Sequence, residues 1–361
     1  MALTQQTVLE KLHEIRAPGV PHSLVETGAV RGIEVEGGAV KVVLAVNAPQ
    51  PSVATEVRQA VESALAGLEG AETVEVKVHP LLATMDSRQP APEPPPSWAD
   101  KIPGVRHVVA VASGKGGVGK STVSANLALA LAAAGRRVGL LDGDIYGPSQ
   151  QMMMGTIDDP TGDASGRIQP VEAPGGVKVM SFGFLVDPDQ PVIWRGPMLQ
   201  KALEQFVGDV NWGELDYLVV DLPPGTGDVA LTLCQNVPMA GAVIVTTPQD
   251  VALIDARKSL HMFRKLGVPV LGIVENMAGY QCPKCGHLEP IFGAGGGRRT
   301  ADELGVPLLG SVPLDPAIVS GGDSGRPVVL ERPDSPAGRA FTELATSVAA
   351  QVATQGEEVK G

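Results

Sequence analysis

The stretch GKGGVGKST, Gly114 to Thr122, constrains this chain of 361 residues more than any other. It satisfies the spacing G-x-x-x-x-G-K-[ST], directly follows the apolar run HVVAVAS and opens the helical pattern STVSANLALALAAAG. Strand, glycine-rich turn and helix in that order make a phosphate-binding loop. The glycines let backbone N–H groups face phosphate oxygens, and the helix N-terminus adds partial positive charge. On this pattern Gly114, Gly116, Gly117, Val118, Gly119 and Thr122 form the cradle. Lys120 contacts the β- and γ-phosphates of ATP, and the Ser121 hydroxyl binds Mg²⁺. Such a loop needs a buried parallel strand before it, so the chain is committed to an α/β sheet.

The rest of the sequence agrees. After residue 104, the runs HVVAVAS, RVGLLDGD, VKVMSFG, YLVVDLP, GAVIVTTP, PVLGIVENM and PLLGSVPL alternate with helical segments. Continuous apolar runs between helices predict a doubly wound, mostly parallel sheet covered on both faces, with ligands at the carboxyl ends of its strands. Residues 104–361 are therefore expected to be one P-loop ATPase domain. Residues 86–103, DSRQPAPEPPPSWADKIP, are dense in proline and predict an extended linker. Ahead of it, residues 1–85 show the order α-β-β-α-β: helices over 4–15 and 52–68, strands over 29–36, 39–46 and 72–79, and a hairpin at Gly37-Gly38. That is a small α+β domain.

Two strands end in acidic residues where a Mg-nucleotide needs them. RVGLLDGDIYGPS places Asp142 and Asp144, and YLVVDLPPGTGD places Asp221, followed by a glycine loop through Gly225 and Gly227 to Asp228. Mg²⁺ accepts one or two carboxylates and keeps several waters. Asp221, after four apolar residues, fits the Walker-B role, and Asp144 is placed to position the attacking water. The 225–227 loop has the composition of a segment that responds to loss of the γ-phosphate. Lys115, directly after the first glycine, is a second lysine at a phosphate loop. Its early position suits a cation supplied to the nucleotide of a neighbouring copy.

A third feature lies in ENMAGYQCPKCGH, with Cys282 and Cys285 in a loop after the strand PVLGIVENM. C-x-x-C occurs in zinc sites, iron–sulfur sites and redox dithiols. One pair supplies two thiolates, and a closed tetrahedral site needs four ligands. His287 is a candidate third ligand, whereas Cys234 sits in ALTLCQNVP, a core-like helix. The arithmetic favours two chains pooling their pairs around one metal centre, and spacing alone leaves Fe–S, zinc and redox chemistry open.

Composition excludes other classes. Net charge is −12 and the cysteines number 3. An acidic chain is a poor general binder of nucleic acid or anionic lipid. Three cysteines cannot form a disulfide framework and suit the cytoplasm. No apolar run approaches the ~18 residues of a membrane span.

Taken together, GKGGVGKST with Lys115, DGDIYGPS, VIWRGPMLQKAL, DYLVVDLPPGTGDVALTL, VTTPQDVALIDARK and GIVENMAGYQCPKCG resemble the Mrp/ApbC family of iron–sulfur cluster carriers, within the MinD-like deviant Walker-A P-loop ATPases. The resemblance covers about residues 100–345, and the first 80 residues resemble a small Fe–S assembly-associated domain that precedes many bacterial members. It implies a homodimer that binds and slowly hydrolyses ATP, with Lys115 reaching the partner's nucleotide and Asn276 contacting adenine. It also implies a 4Fe–4S cluster bridged by Cys282 and Cys285, received from scaffold or assembly proteins and passed to apo-proteins. The N-terminal domain has APGVPHSL where relatives carry an Asp-Pro-Glu-like element, and it contains no cysteine. Two alternatives share the P-loop: a MinD/ParA-like spatial organiser and an ATP-driven electron donor. The organiser needs a basic amphipathic C-terminal helix or a basic patch, but the C-terminus here is amphipathic, nearly neutral and acidic at its end.

Overall fold

A computed structural model describes residues 3–15, 23–27, 29–36, 38–47, 51–68, 70–71, 73–81, 102–156, 158–164, 166–185, 196–282 and 284–358. Most of the proline-rich stretch, most of APGVPHSL and the start of VIWRGPMLQKAL lie outside them. The chain divides into two compact units, residues 1–93 and 94–361.

The first unit runs α1 (Gln5–Leu12), β1 (Val30–Glu36), β2 (Ala39–Asn47), α2 (Pro51–Ala66) and β3 (Thr73–Leu81). β1 and β2 pair antiparallel, and β3 joins β2 in parallel. Alternation on β2 turns Val40, Val42 and Leu44 inward, and helical spacing on α2 turns Val57, Val61 and Leu65 toward them. These residues form this unit's own core.

The second unit comprises β4 (Val105–Ser113), α3 (Lys120–Ala133), β5 (Val138–Asp142), α4 (Gln150–Met153), β6 (Thr161–Gly162), β7 (Ile168–Gln169), β8 (Val171–Ala173) and β9 (Val177–Ser181). It continues through α5 (Gly196–Gly208), β10 (Leu215–Asp221), α6 (Asp228–Asn236), β11 (Met239–Thr246), α7 (Asp250–Lys265), β12 (Val270–Gln281) and β13 (Leu288–Glu289). It closes with α8 (Gly296–Leu304), β14 (Leu308–Leu314), α9 (Pro316–Asp323), α10 (Val328–Glu331) and α11 (Pro336–Glu358).

The seven expected runs are β4, β5, β9, β10, β11, β12 and β14, and all seven pair in parallel in the order β14-β12-β11-β4-β10-β5-β9. Sequence reading missed two short antiparallel partners, β8 beside β9 and β13 beside β12. It also ended β12 too early. The strand continues past Met277, a non-glycine residue at φ 57, through Gln281. The cysteine pair therefore sits on a hairpin between β12 and β13.

Period-2 alternation splits the core into two layers. Val109 and Val111 of β4 join α3, α10 and α11 on one face, and Val108, Ala110 and Ala112 join α5, α6 and α8 on the other. Helix α3 has almost no polar face because the sheet and α11 enclose it. The apolar stripe of α11, with Phe341, Leu344, Val348 and Val352, lies within the same layer. Replacing fully buried Phe341 with Ala should therefore cost about 3–5 kcal/mol of folding stability. Urea unfolding would check this; a loss below 1 kcal/mol would mean that α11 packs elsewhere.

Candidate functional site

The nucleotide end of the second unit is built at the carboxyl ends of β4, β10 and β5, which are adjacent in the sheet. Residues 114–119 leave β4 and turn into α3. Gly119, the α3 N-cap, has φ 80, a left-handed conformation that disfavours any side chain. A Cβ there would also lie 2.2 Å from Asn276 Nδ2. Gly114 is fixed differently: a Cβ at that position would lie 2.1 Å from the carbonyl carbon of Asp255, so the loop runs directly against the backbone of α7.

Lys120 is 5% exposed, and its Nζ donates to Asp221 Oδ1 at 2.7 Å and to Ser121 Oγ at 3.2 Å. Asp144 Oδ2 lies 3.8 Å from the same ammonium. The structure thus brings together Lys120, Ser121, Asp144 and Asp221. Oxygen ligands from a hydroxyl and carboxylates are the hard donor set that suits Mg²⁺. Burial raises the Asp144 carboxyl, with Lys120 opposing the shift. Asp142 is fully buried, and burial followed by repulsion from Asp221 pushes it up to about 7. Two carboxylates, Asp144 and Asp221, beside one ammonium favour a further cation at this site.

Other predicted residues are placed differently. Asp142 serves the loop itself: Oδ2 accepts from the N–H groups of Ser149 and Gln150 and from Ser181 Oγ, and Oδ1 accepts from Asp144 N. Asn276 is buried at the loop, and its Nδ2 donates to Val118 O at 2.8 Å. Lys115 is half-buried and, among the described residues, has no carboxylate partner. Asp228 is exposed at the start of α6. Gly225 N donates to Ser113 O, which ties the 222–227 loop to the end of β4.

Two residues of the site escaped sequence reading. Ser124 Oγ donates to Asp221 Oδ1 at 2.8 Å, and Gln150 Nε2 donates to Asp221 Oδ2 at 2.8 Å. Ser124, four residues after Lys120, shares its helix face, which was a usable signal. Gln150 offered none, because only the return of the 143–149 segment brings it to β10.

The second feature, at the end of β12, is a tight turn in which Cys282 N donates to His287 O and Gly286 N donates to Cys282 O, both at 2.8 Å. Cys285 is exposed and Cys282 half-buried. N–H groups of Lys284 and Cys285, and the Cys285 thiol, hold the Cys282 thiol below its ordinary range. His287 pairs instead with Glu289 at 3.0 Å. Among the described residues, no three His, Cys, Asp or Glu side chains form a metal-sized cluster. Cys234 is buried, and desolvation pushes its thiol up to about 12.

A glycine-rich loop after a central parallel strand, with a carboxylate ending the neighbouring strand, defines a P-loop nucleoside triphosphatase. Residues 104–349 match the family described as NUBPL iron-transfer P-loop NTPase, and residues 5–78 match that described as iron-sulfur cluster assembly protein. The chain belongs to this family of iron–sulfur carrier P-loop NTPases. It is 46% identical over 358 residues to the iron-sulfur cluster carrier protein of Synechocystis, covering 97% of this chain and 98% of that one. With the carrier of Escherichia coli K12 the identity is 43% over 351 residues, covering 97% and 93%. Among solved structures, an Archaeoglobus fulgidus nucleotide-binding protein in complex with ADP is similar at TM-score 0.59 and 37% identity, covering 68% of this chain and 96% of that one. The Pyrococcus furiosus cell division ATPase MinD is similar at TM-score 0.50 and 25% identity, covering 68% and 98%.

Two outcomes follow from this geometry. Because Asp142 has a folded value near 7 against an ordinary 3.8, the native state holds its proton more tightly, and its stabilising share is lost as pH rises from about 4 to 7. Asp142→Asn should flatten the stability–pH slope in that window, measured by chemical denaturation; an unchanged slope would refute the assignment. Alkylation by iodoacetamide near neutral pH should label Cys282 and Cys285 and spare Cys234 until unfolding. Peptide mass spectrometry that found all three labelled equally would contradict it.

Proposed function

We propose that this chain is an ATP-hydrolysing carrier of iron–sulfur clusters that works as a homodimer, Cys282 and Cys285 of each copy holding one shared 4Fe–4S cluster. The observation that carries this reading is the thiol count. Each chain offers two accessible thiols on one hairpin and no third ligand among the described residues, so closure of a four-thiolate site requires a second copy. The cluster is cargo, received from assembly proteins and delivered to apo-proteins, and reduced thiols suit a cytoplasmic location. The names of the relatives support the same assignment.

In the ATPase, Ser121 and Asp221 would hold Mg²⁺, which would neutralise phosphate charge. Arriving phosphates compete with Asp221 and Asp144 for the Lys120 ammonium, and this exchange frees an Asp221 lone pair. Asp144 orients the attacking water. Gly114 to Thr122 wrap the phosphates, and Asn276, whose side chain bonds to Val118 of that loop, contacts adenine. Lys115, with no carboxylate partner among the described residues, reaches the nucleotide of the partner copy. Residues 1–85 form a separate domain for partner recognition, and residues 86–103 link it to the ATPase domain, residues 104–361. The organiser alternative is disfavoured because the apolar residues of α11 are spent in the core.

Anaerobic reconstitution should give one four-iron cluster per two chains, lost in Cys282→Ser and Cys285→Ser. Zinc in place of iron, or a cluster retained by both variants, would overturn the assignment. ATP should alter the rate of cluster transfer to an apo-acceptor for the wild type and leave Lys120→Ala unaffected. Identical responses would sink the coupling to ATP.

A further inference from the structure

Gln150 occupies a place in the nucleotide site that neither motif nor kinship assigns. It is fully buried, and its single side chain touches two elements while its backbone touches a third. Nε2 donates to Asp221 Oδ2 at 2.8 Å and to the carbonyl of Ser121 at 3.0 Å. Its backbone N–H donates to Asp142 Oδ2 at 3.0 Å. The orientation of the amide is fixed chemically, since exchanging its ends would set an oxygen against two acceptors.

That orientation leaves Oε1 buried and unpartnered, one of three such side-chain atoms among the described residues. A buried acceptor without a donor is costly and calls for an explanation. The nearby side-chain donors are already committed. Lys120 and Ser124 donate to Asp221 Oδ1, and Ser181 donates to Asp142. The Asp221 carboxylate has about four lone-pair sites, of which Lys120, Ser124 and Gln150 take three. Gln150 therefore fixes the plane of the carboxylate while Lys120 is free to leave Oδ1.

We infer that Gln150 is a positioning residue for Mg²⁺: its Nε2 holds Asp221 in place, and its Oε1 accepts a hydrogen bond from water in the hydration shell of the ion. This rests on the ATP–Mg²⁺ reading of the site. It predicts that Gln150 sets affinity for the metal and not for the nucleotide.

The test uses the full-length protein, with Mn²⁺ as the metal probe and a fluorescent ADP as the nucleotide probe. Gln150→Met keeps the length of the side chain and removes both polar ends; Gln150→Leu serves if the Met variant folds poorly. Electron paramagnetic resonance should show Mn²⁺ binding in the presence of ADP weakened about tenfold or more. Binding of fluorescent ADP in excess chelator should change less than twofold. Unchanged Mn²⁺ affinity overturns the inference, and so does a parallel loss of both affinities, the mark of a packing role alone. Wild-type protein without ADP-dependent Mn²⁺ binding would defeat the nucleotide-site reading itself.

Discussion

The carboxylate of Asp221, buried at the end of β10, takes hydrogen bonds from Lys120 and Ser124 on α3 and from Gln150 on α4. Three donors from two helices converge on one fully buried group. Removing one partner from a buried ion pair costs about 3–5 kcal/mol, because the remaining charge stays uncompensated. Exposed pairs such as Arg137–Asp216 contribute about 0–1 kcal/mol. The buried cluster, rather than the surface pairs, therefore sets how the first turn of α3 and the 143–150 segment sit on the sheet. The same cluster carries surplus negative charge, so the arrangement that organises the fold also prepares it for a cation.

Strand β12 joins the two chemical features. Asn276 grips the carbonyl of Val118 in the phosphate loop, and Cys282 directly follows the last residue of the same strand, Gln281. Between them lies Met277 at φ 57, and the pairing of β12 with β14 shifts register between Asn276 and Tyr280. One continuous backbone with one irregular joint thus connects the phosphate loop's Asn276 contact to the cysteine hairpin. Both features lie in one compact unit, so no motion between units is needed to connect them.

Much of this was legible in the sequence because burial on both faces leaves an unmistakable trace. Runs such as VVAVA and YLVV have no polar face, and each became a parallel strand. The loop at Gly114 to Thr122 was equally plain, since its spacing is local. The short strands β8 and β13 were not, because two or three residues carry no period. The helix α11 read as amphipathic, yet only the packed structure reveals that its apolar side meets α3 and β14. The functions of Asp142 and Gln150 depend on where a loop returns, a tertiary fact without a pattern in the chain. Asn276 was expected at adenine from the resemblance alone, and its bond to Val118 spans 158 positions.

The close approach of Gly114 to α7 separates two kinds of information within one motif. A methyl group at this position would collide with the Asp255 backbone whatever occupied the phosphate cradle. The first letter of the signature thus records the distance between a helix and a sheet, whereas Lys120 and Ser121 record the chemistry of the nucleotide. A protein could abandon ATP altogether and still be held to glycine at 114 for as long as α7 kept its seat.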